Sequence, residues 1–445
     1  MRKFTLINGH LQDEKDLDEH LQGESNKDAA STSENGRKSP THLAGREARR
    51  EFGARVTGRL ADYGYDRELV EAEVTFVDGN YGLPLLVLIA VVTVIGAAMV
   101  LSTTFAPSLA SAITHSPFAI FEKQLVWLFI SAVVFFVISK VPSIYLAAFF
   151  RAPILLANVL LLVVLVPGIG IKVSGARRWI GFSFLTFQPS EFAKLAIVGF
   201  LASFFAAPVR GRATTLKGAM PAIIVSGAAM GLILIEPDMG TSIVVGIVMT
   251  LILFLVGMKM RYFLPFVTAL FAGGLFSVTY SAYRRQRFFS FLHPWQNRLG
   301  YSYQEVQGLV AFATGGLHGV GVGAGISKWG YLPNAQTDFI YAIVGQETGV
   351  IGAVIVLVLL LGLAGLIFRI SQLAEDRFES IFCAGVAVWI AVQTLLNVGA
   401  VLGVLPVTGV PLPLISYGGS SMVFFMVALG VVYKVARKTE RRVKV

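Results

Sequence analysis

The feature that most constrains this chain is a series of ten long apolar runs, which begins at Leu83 and ends near residue 436. A helix needs about 20 apolar residues to cross the hydrocarbon core of a bilayer, and each run comes close to that length or exceeds it. The runs therefore predict an all-α polytopic membrane protein with ten transmembrane helices. They lie at 83–104, 124–141, 152–170, 189–207, 218–235, 240–257, 262–282, 339–368, 379–404 and 418–436.

The charges divide the chain into a polar tail and a basic membrane domain. Residues 1–82 carry a net charge of −4, and residues 83–445 carry a net charge of +14. We expect a largely disordered cytoplasmic tail at 1–82, a ten-helix membrane domain at 83–436, and a short basic tail at 437–445. In a membrane protein, this basic balance indicates anchoring and anionic lipid ligands rather than nucleic acid.

The distribution of Lys and Arg predicts the orientation of the helices. With the N-terminus inside, most of the basic connections and the basic C-terminal tail face the cytoplasm, so both termini are expected there. The outer loops then include 171–188, 405–417 and a long loop at 283–338, between the seventh and eighth helices. Two of these, 171–188 and 283–338, are also basic, and we interpret their cations as ligands for an anionic molecule.

Several classes of site are excluded by simple patterns. Cys383 is the only cysteine, so neither an internal disulfide nor a cysteine-based metal site is expected. The first apolar run begins too late for a cleaved signal peptide. The glycine-rich stretch 319–325 lacks the Lys-Ser/Thr of a nucleotide-binding loop, so we expect it to permit close backbone approach or to form a flexible lid. No spacing of His, Cys and carboxylates indicates zinc.

The first polar outer segment ends in a predicted helix start at Pro189 and Ser190. Glu191 would lie in the first turn and Lys194 one turn later, so the two side chains could pair. The alternative is a snorkelling lysine beside an interfacial Trp179. The cations of this segment that suit a diphosphate are Arg177, Arg178 and Lys194.

Two other outer segments are unusually polar or irregular. The carboxylates of the predicted turn Glu236–Thr241 either cap and hydrate the turn or place a basic partner or a cation. The segment 405–421 holds three prolines and three glycines, which forbid a continuous helix. Irregular backbone occurs at membrane depth only beside protein or a watery cavity. We therefore expect 405–421 to re-enter the membrane and line a cavity shared with the long loop.

At these positions the chain resembles the SEDS membrane proteins, whose members include FtsW, RodA and SpoVE. The resemblance covers residues 83–436, and within the family it is greatest to the division-type FtsW, because Lys328-Trp-Gly-Tyr-Leu-Pro and Gly345-Gln-Glu347 are similar to the FtsW forms. The motifs that carry it are, in order, Gly175-Ala-Arg-Arg-Trp-Ile, Phe187-Gln-Pro-Ser-Glu, Glu236-Pro-Asp-Met-Gly-Thr, Tyr303-Gln with Gln307, Tyr331-Leu-Pro, Thr337-Asp-Phe-Ile, and Pro406-Val-Thr-Gly-Val-Pro-Leu-Pro-Leu-Ile-Ser-Tyr-Gly-Gly-Ser-Ser.

The resemblance implies a peptidoglycan glycosyltransferase of the cell membrane, expected at the division septum. Its substrate would be lipid II, a disaccharide-pentapeptide on undecaprenyl diphosphate. The acceptor hydroxyl attacks the anomeric carbon and the lipid diphosphate leaves, which requires a base and positive charge. A divalent cation, Mg or Mn, would assist the leaving group, although the sequence does not require one. The implied partners are a class B penicillin-binding transpeptidase, other division proteins and membrane lipids.

The resemblance also assigns residues to the site. The family has a catalytic Asp two residues after the Trp of a Pro-Trp-x-Asp-Pro pattern, but here Pro294-Trp295-Gln296 leads to Asn297, whose amide cannot act as a general base. Three explanations stay open: Glu305 or Asp338 replaces it, the loop aligns differently, or the protein is a division scaffold that binds lipid II and a transpeptidase with weak or no catalysis. The expected substrate-binding residues are Arg177, Arg178, Gln188, Ser190, Glu191, Lys194, Arg287, Gln307, Lys328, Thr337 and Ser416.

Two further functions are compatible with a chain of this family. One is a RodA-type polymerase of cell elongation, and the other is a lipid II flippase. A flippase should carry charges through the bilayer. The charges predicted deep in the runs, mainly Glu191, Lys194 and Glu347, all lie toward the outer side, which disfavours transport.

Overall fold

The computed structural model describes residues 81–110, 116–173, 176–182, 185–207 and 213–443. Nearly all of the expected tail at 1–82 lies outside these ranges. A helix occupies most of each of the ten apolar runs. The helices are α1 (Gly82–Ala110), α2 (Ala119–Lys140), α3 (Ser143–Phe149), α4 (Pro153–Leu165), α5 (Pro189–Ala206), α6 (Leu216–Ile235), α7 (Met239–Leu255), α8 (Met260–Tyr280), α9 (Ala282–Leu292), α10 (Tyr303–Gly315), α11 (Ile340–Leu373), α12 (Arg377–Val401) and α13 (Gly419–Val443).

The helices confirm a mostly helical, multi-pass membrane protein. Within the described ranges, eight helices are long and apolar enough to cross a membrane, and the pair α3 and α4, bent by 41°, is a candidate for a ninth span. Helix α7 is apolar but has only 17 residues, about 26 Å of helix. The count of ten spans and the cytoplasmic location of both termini stay predictions.

The centre of the bundle is formed by α5 and α12, whose side chains are buried over most of their length. Trp389 of α12 stacks on Phe425 of α13, with ring centroids 4.4 Å apart. Helix α8, in contrast, is exposed over most of its length, and Val278 is its one buried side chain. An apolar helix with so little burial faces lipid over most of its surface, so α8 lies at the periphery.

A small antiparallel sheet adds a β element to the predicted helical architecture. Its strands β1 (Gly170–Val173), β2 (Ala176–Phe182) and β3 (Leu185–Phe187) are paired in that order, and Gly170 lies opposite Ile180. The run predicted to continue as a helix to residue 170 ends at Leu165, because Pro167 cannot continue the helical hydrogen bonds. The sheet carries the arginine pair of the first polar segment.

Helix α11 is broken at Gly349, where the backbone leaves the helical region with φ 71° and ψ −175°. The preceding glycine-rich chain fills the break. The N–H groups of residues 320–321 donate to the carbonyls of residues 346–347 at 3.0 Å, and the N–H groups of residues 350–351 donate to the carbonyls of residues 316–317 at 2.9 and 3.3 Å. The glycine-rich stretch is thus a close backbone joint, the first of the two alternatives that the sequence left open.

Candidate functional site

A cavity of about 510 Å³ lies where the sheet, the long loop and the irregular segment meet. Its walls are formed by β2, the turn between α6 and α7, helices α9 and α10, residues 334–338, and residues 406–421. The irregular segment is non-helical up to Gly418 and lines this cavity together with the long loop, as expected. Since the walls come from distant parts of the chain, no local motif describes the cavity as a whole.

Arg178 reaches the cavity from β2 and is held by backbone carbonyl groups. Its Nε donates to the carbonyl oxygen of Glu236 at 3.0 Å, and its Nη2 donates to that of Pro237. In the same turn, Asp238 caps α7 by accepting from the N–H of Thr241 at 3.1 Å. The turn therefore both caps a helix and places a basic partner, which were the two alternatives.

The Glu236 carboxyl is fully buried beside this turn, and neither of its oxygen atoms has a hydrogen-bond partner among the described residues. Burial raises the pKa of Glu236 to about 8; the charge of Asp238 adds to the shift and Arg178 opposes it. The group is therefore mostly protonated at neutral pH. It adds little negative charge to the neighbourhood of the cavity.

Helix α9 supplies two more cations to the cavity. Arg284 and Arg287 are three residues apart, so they lie on the same face of the helix, and both line the cavity. Together with Arg178 they form three guanidinium groups around one space. Guanidinium groups bind phosphate oxygens through short, charge-assisted hydrogen bonds. The cavity is therefore suited to an anion of the diphosphate type.

Asp338 presents a carboxyl group to the same cavity. Its Oδ1 accepts from the Thr337 hydroxyl at 2.9 Å, and its Oδ2 accepts from the Gln304 amide at 3.4 Å. Burial raises the pKa of Asp338 above its ordinary value, while these hydrogen bonds and the charge of Arg287 oppose the shift. A carboxyl with a raised pKa and a fixed orientation can take up a proton from a hydroxyl near neutral pH.

The loop that carries Asp338 is fastened to the irregular segment. The Asn397 amide of α12 donates to the carbonyls of both Asp338 and Val410 at 2.7 Å. The Ser416 hydroxyl donates to the carbonyl of Thr337 at 2.5 Å. Ser416, one of the expected substrate ligands, thus orients the loop next to the cavity, and it is buried.

Glu191 and Lys194 form the pair that the i, i+3 spacing predicted. The Lys194 ammonium lies 2.8 Å from Glu191 Oε1, donates to Gln393 at 2.9 Å, and lies 5.5 Å from the centre of the Trp389 ring. Glu191 lines the cavity, but Lys194 is buried behind it in the core. Lys194 therefore acts on the cavity through Glu191.

Lys328 is also buried, on a different side of the long loop. Its ammonium lies 2.7 Å from Glu347 Oε1 and donates to the Ser102 hydroxyl at 2.8 Å and to the Gly323 carbonyl at 2.7 Å. The neighbouring Gln346 accepts from the N–H of Ser327 at 3.2 Å. In this arrangement, Lys328 ties the loop to two helices rather than facing the cavity.

The structure brings together some of the predicted residues and separates others. Asn297 is exposed and lies in a turn that follows α9. Glu305 is buried on α10, with its pKa raised to about 7 by burial and lowered in part by Arg287. The predicted residues that line the cavity are Arg178, Gln188, Glu191, Arg287, Thr337 and Asp338. Those that lie outside its lining are Arg177, Ser190, Lys194, Asn297, Glu305, Gln307, Lys328 and Ser416.

The structure also adds residues that sequence reasoning missed. Arg284 and Gln304 both line the cavity, and each had a signal in its neighbours. Arg284 lies one turn before Arg287, which is one of the expected substrate ligands, and Gln304 stands inside the Tyr303-Gln motif. Tyr417 lines the cavity as well and lies inside the 405–421 segment that was expected to do so, whereas Asn334 follows the Tyr331-Leu-Pro motif and depends on long-range packing.

The residues present do not form a recognisable metal site. Among the described residues, no three or more His, Cys, Asp or Glu side chains are grouped so that they could hold a metal ion. The carboxyl groups around the cavity are engaged instead in a cap, an ion pair and hydrogen bonds. No step of the chemistry is therefore assigned to a divalent cation.

Comparison with known proteins finds relatives that match nearly the whole membrane domain. The FtsW, RodA and SpoVE family of cell cycle proteins matches residues 83–441. The probable peptidoglycan glycosyltransferase FtsW of Haemophilus influenzae is 37% identical over 80% of this chain and 90% of its own length. The stage V sporulation protein E of Bacillus subtilis is 36% identical over 71% of this chain and 86% of its own length.

Solved structures share the fold as well as the sequence pattern. A chain of a peptidoglycan synthase complex that coordinates polymerization and crosslinking is 28% identical, with a TM-score of 0.65 over 80% of this chain and 98% of that chain. The rod shape determining protein RodA of Thermus thermophilus is 26% identical, with a TM-score of 0.58 over 80% of this chain and 96% of that chain. On the extent of these matches, the chain belongs to the FtsW, RodA and SpoVE family of cell cycle proteins.

Proposed function

We propose that this protein is a peptidoglycan glycosyltransferase that polymerises lipid II during cell division. The observation that carries the proposal is the cavity, in which three arginines and the Asp338 carboxyl face one space. A reaction whose leaving group is a lipid diphosphate needs both of these features. Several relatives of 33–38% identity are themselves named probable peptidoglycan glycosyltransferases.

The arrangement of charges suggests how the substrates bind. The diphosphate of the donor lies against Arg178, Arg284 and Arg287, whose charges stabilise it as the bond to the sugar breaks. The acceptor sugar lies on the other side of the cavity, with its attacking hydroxyl toward Asp338.

In this scheme Asp338 accepts the proton of the attacking hydroxyl. The oxygen of that hydroxyl forms the new glycosidic bond, and the donor sugar leaves the diphosphate at the same carbon. Gln304 and Thr337 hold the carboxyl in orientation through their hydrogen bonds. Position favours Asp338 over Glu305, because Asp338 lines the cavity and Glu305 is buried outside its lining.

The protein works at the cell membrane, and we place it at the division septum with a class B transpeptidase as its partner. The family match and the predominance of FtsW among the relatives support the role in division rather than in elongation. The similarity to a chain from a polymerization and crosslinking complex supports the transpeptidase. Other division proteins and membrane lipids complete the expected environment.

The test is polymerisation of purified lipid II by the protein in vesicles, with and without its transpeptidase, read on a gel of the glycan products. Asp338→Asn should lower the rate roughly 100-fold or more, since a positioned base contributes about that much. Glu305→Gln should retain more of the rate than Asp338→Asn. The proposal is wrong if wild type makes no polymer, and Asp338 is not the base if Asp338→Asn remains as active as wild type.

A second function, a lipid II-binding scaffold, is favoured by one observation. The position where the family has a catalytic Asp is the exposed amide Asn297. A scaffold keeps the arginine-lined cavity and binds lipid II, but it does not polymerise it.

Asn297→Asp separates the two functions. If the base is missing, Asn297→Asp should raise polymerisation at least tenfold over wild type while binding of lipid II stays the same. A matched change, Gln296→Glu, places a carboxylate one residue earlier and should not have this effect. If wild type is already fast and Asn297→Asp changes nothing, the scaffold is excluded.

A further inference from the structure

The second half of the long loop is apolar in a way that an aqueous loop is not. Between Glu305 and Asp338 the sequence contains one charged residue, Lys328, whereas soluble domains carry roughly one charged residue in four. That residue is buried against Glu347. The glycine-rich segment, defined here as residues 316–329, therefore exposes no Asp, Glu, Lys or Arg side chain, and its exposed polar side chain is His318.

Apart from His318, the bulky side chains that this segment exposes are hydrophobic. Leu317, Val322 and Ile326 are 64%, 72% and 66% exposed, and Val320 and Trp329 are exposed as well. The glycines between them allow the backbone to turn, but they have no side chains that could cover these hydrophobic groups. Contiguous exposed apolar groups of this size mark a contact with protein or with lipid.

The position of the segment along the membrane normal helps to distinguish a contact with lipid from a contact with protein. Lys328 fastens it to Ser102 of α1 and Glu347 of α11. Counted from Leu83, Ser102 is the twentieth residue of the apolar run, and about 20 helical residues span the roughly 30 Å hydrocarbon core. The glycine-rich segment therefore lies at the edge of the hydrocarbon core, on the side of the long loop.

The segment is also continuous with a lipid-facing surface. Ile351, the first exposed apolar residue after Val350 on α11, donates its N–H to the carbonyl of Leu317. From Val350 the exposed apolar face of α11 continues along Val354, Ile355 and Val358. Leu317 thus extends an apolar face that lies within the hydrocarbon core in a membrane-spanning helix.

Aromatic side chains lie on the α1 side of the segment. Trp329 packs edge-on against Phe105 at a centroid distance of 6.5 Å, and Phe105 packs against Phe118 at 5.9 Å. Aromatic residues, Trp above all, concentrate where acyl chains meet headgroups. Phe105 is three residues beyond Ser102, which places this cluster at the same boundary.

We propose that the glycine-rich segment is embedded in the membrane–water interface and inserts Leu317, Val322 and Ile326 among the lipid acyl chains. The ligand is bulk membrane phospholipid, which the segment contacts in the manner of a monotopic anchor. The absence of exposed charge and the continuity with the lipid face of α11 favour lipid over a protein partner, whose interface would have a polar rim. The proposal does not depend on the catalytic function.

Spin labels on single cysteines measure this directly in purified full-length protein. The native Cys383 is buried, so Cys383→Ala gives a background without reactive thiols. Val322→Cys and Ile326→Cys are labelled with a nitroxide after reconstitution into phosphatidylcholine and phosphatidylglycerol vesicles without any partner protein. Phe271→Cys, 74% exposed on α8, is the lipid-facing control, and Gln296→Cys in the charged half of the long loop is the aqueous control.

Oxygen, which concentrates in lipid, and a water-soluble nickel complex then report the surroundings of each label. The expected result is an oxygen-to-nickel accessibility ratio at residues 322 and 326 that is several-fold above that of residue 296 and approaches that of residue 271. A ratio equal to that of residue 296 places the segment in water and overturns the proposal. Low accessibility to both probes means that protein covers the segment, which overturns it equally.

Discussion

At the scale of the single residue, the Glu305 carboxyl is a measurable consequence of burial. It is buried on α10, and its Oε1 has no hydrogen-bond partner among the described residues. Burial raises its pKa from 4.5 to about 7, although Arg287 opposes the shift. The folded protein therefore holds the proton more tightly than the unfolded chain.

This shift predicts a pH-dependent stability. Below pH 4.5 both states are protonated and burial of the group has no ionisation cost. As the pH rises from 4.5 to 7 the unfolded chain loses the proton first, so the folded state is destabilised, in total by about 3 kcal/mol above pH 7. Glu305→Gln should therefore raise the thermal midpoint at pH 8 and leave it nearly unchanged at pH 4.5.

The measurement is thermal unfolding in detergent across this pH range. Glu122→Gln is the matched control, because Glu122 is exposed on α2 and its change should not alter the pH profile. A Glu305→Gln profile parallel to that of wild type would show that the Glu305 carboxyl is hydrated in solution.

The contacts that could be predicted from the sequence are those between local partners, whereas contacts between distant partners have no local pattern. The pair Glu191 and Lys194 follows from a spacing of three on one helix. Lys328 was expected at the substrate because it is a cation in an outer loop. Its partner Glu347 is 19 residues away on α11, and nothing in the local pattern indicates that pairing.

At the scale of the element, strand β2 gives a matched pair of arginines. Successive side chains of a strand point to opposite faces. Arg178 lines the cavity, and Arg177 is therefore directed to the other face of the sheet. Arg178→Gln should weaken lipid II binding about tenfold, because a charged hydrogen bond contributes about 1.5–3 kcal/mol, and Arg177→Gln should weaken it much less.

Binding of lipid II to the protein in nanodiscs checks this pair. The thermal midpoints of both variants should be recorded in the same preparation, since Arg178 also holds the turn at Glu236 and Pro237. Equal losses of affinity for the two variants would show that the cavity does not bind the diphosphate through β2.

The joint between the glycine-rich segment and α11 gives a second matched pair. Gly319 has φ +81°, and a Cβ there would lie 2.2 Å from the Glu347 carbonyl oxygen; Gly323 has φ +84°, and a Cβ there would meet nothing within 4 Å. Both alanine variants incur the cost of a left-handed backbone, about 1 kcal/mol, but Gly319→Ala also forces the joint apart.

Gly319→Ala should therefore lower the thermal midpoint by several degrees more than Gly323→Ala. Fluorescence-detected gel filtration after heating is sufficient to rank the two. If the two variants unfold together, the joint at Gly349 does not contribute to stability.

The elements that could be predicted are those with a strong hydrophobic signal. Each apolar run gave a helix because a lipid environment requires every backbone group to be paired within its own segment. The sheet at 170–187 was missed because its strands have three to seven residues, and their alternation is weak beside the neighbouring apolar runs. Helices α9 and α10 were hidden in the long loop, where polarity masked their helical spacing.

At the scale of the whole molecule, the orientation can be tested with reporters. Ten spans with both termini inside place residue 300 outside the cytoplasm and residue 259 within it. Alkaline phosphatase fused after Gly300 should be active, the same enzyme fused after Lys259 should be inactive, and a fluorescent protein at the C-terminus should fluoresce. Activity after Lys259 instead of Gly300 would invert the topology, and activity at both positions would mean a different number of spans.

The cavity belongs to this scale as well, because its lining residues are up to 243 positions apart in sequence, from Arg178 to Ser421. The motifs of the sequence mark most of these walls separately. Their convergence depends on packing of α5 and α12 at the centre, and no motif encodes it. This is why the sequence predicted the participating segments well and the participating side chains only in part.

The backbone joint at Gly349 has a consequence for how the protein is made. The carbonyls of residues 316–317 accept from residues 350–351, which leave the ribosome later. In the nascent chain, the glycine-rich segment therefore lacks these hydrogen-bond partners until α11 has been synthesised. Closure of the outer loop therefore follows the synthesis of α11, and a chain stalled before that point would leave these backbone groups without their partners.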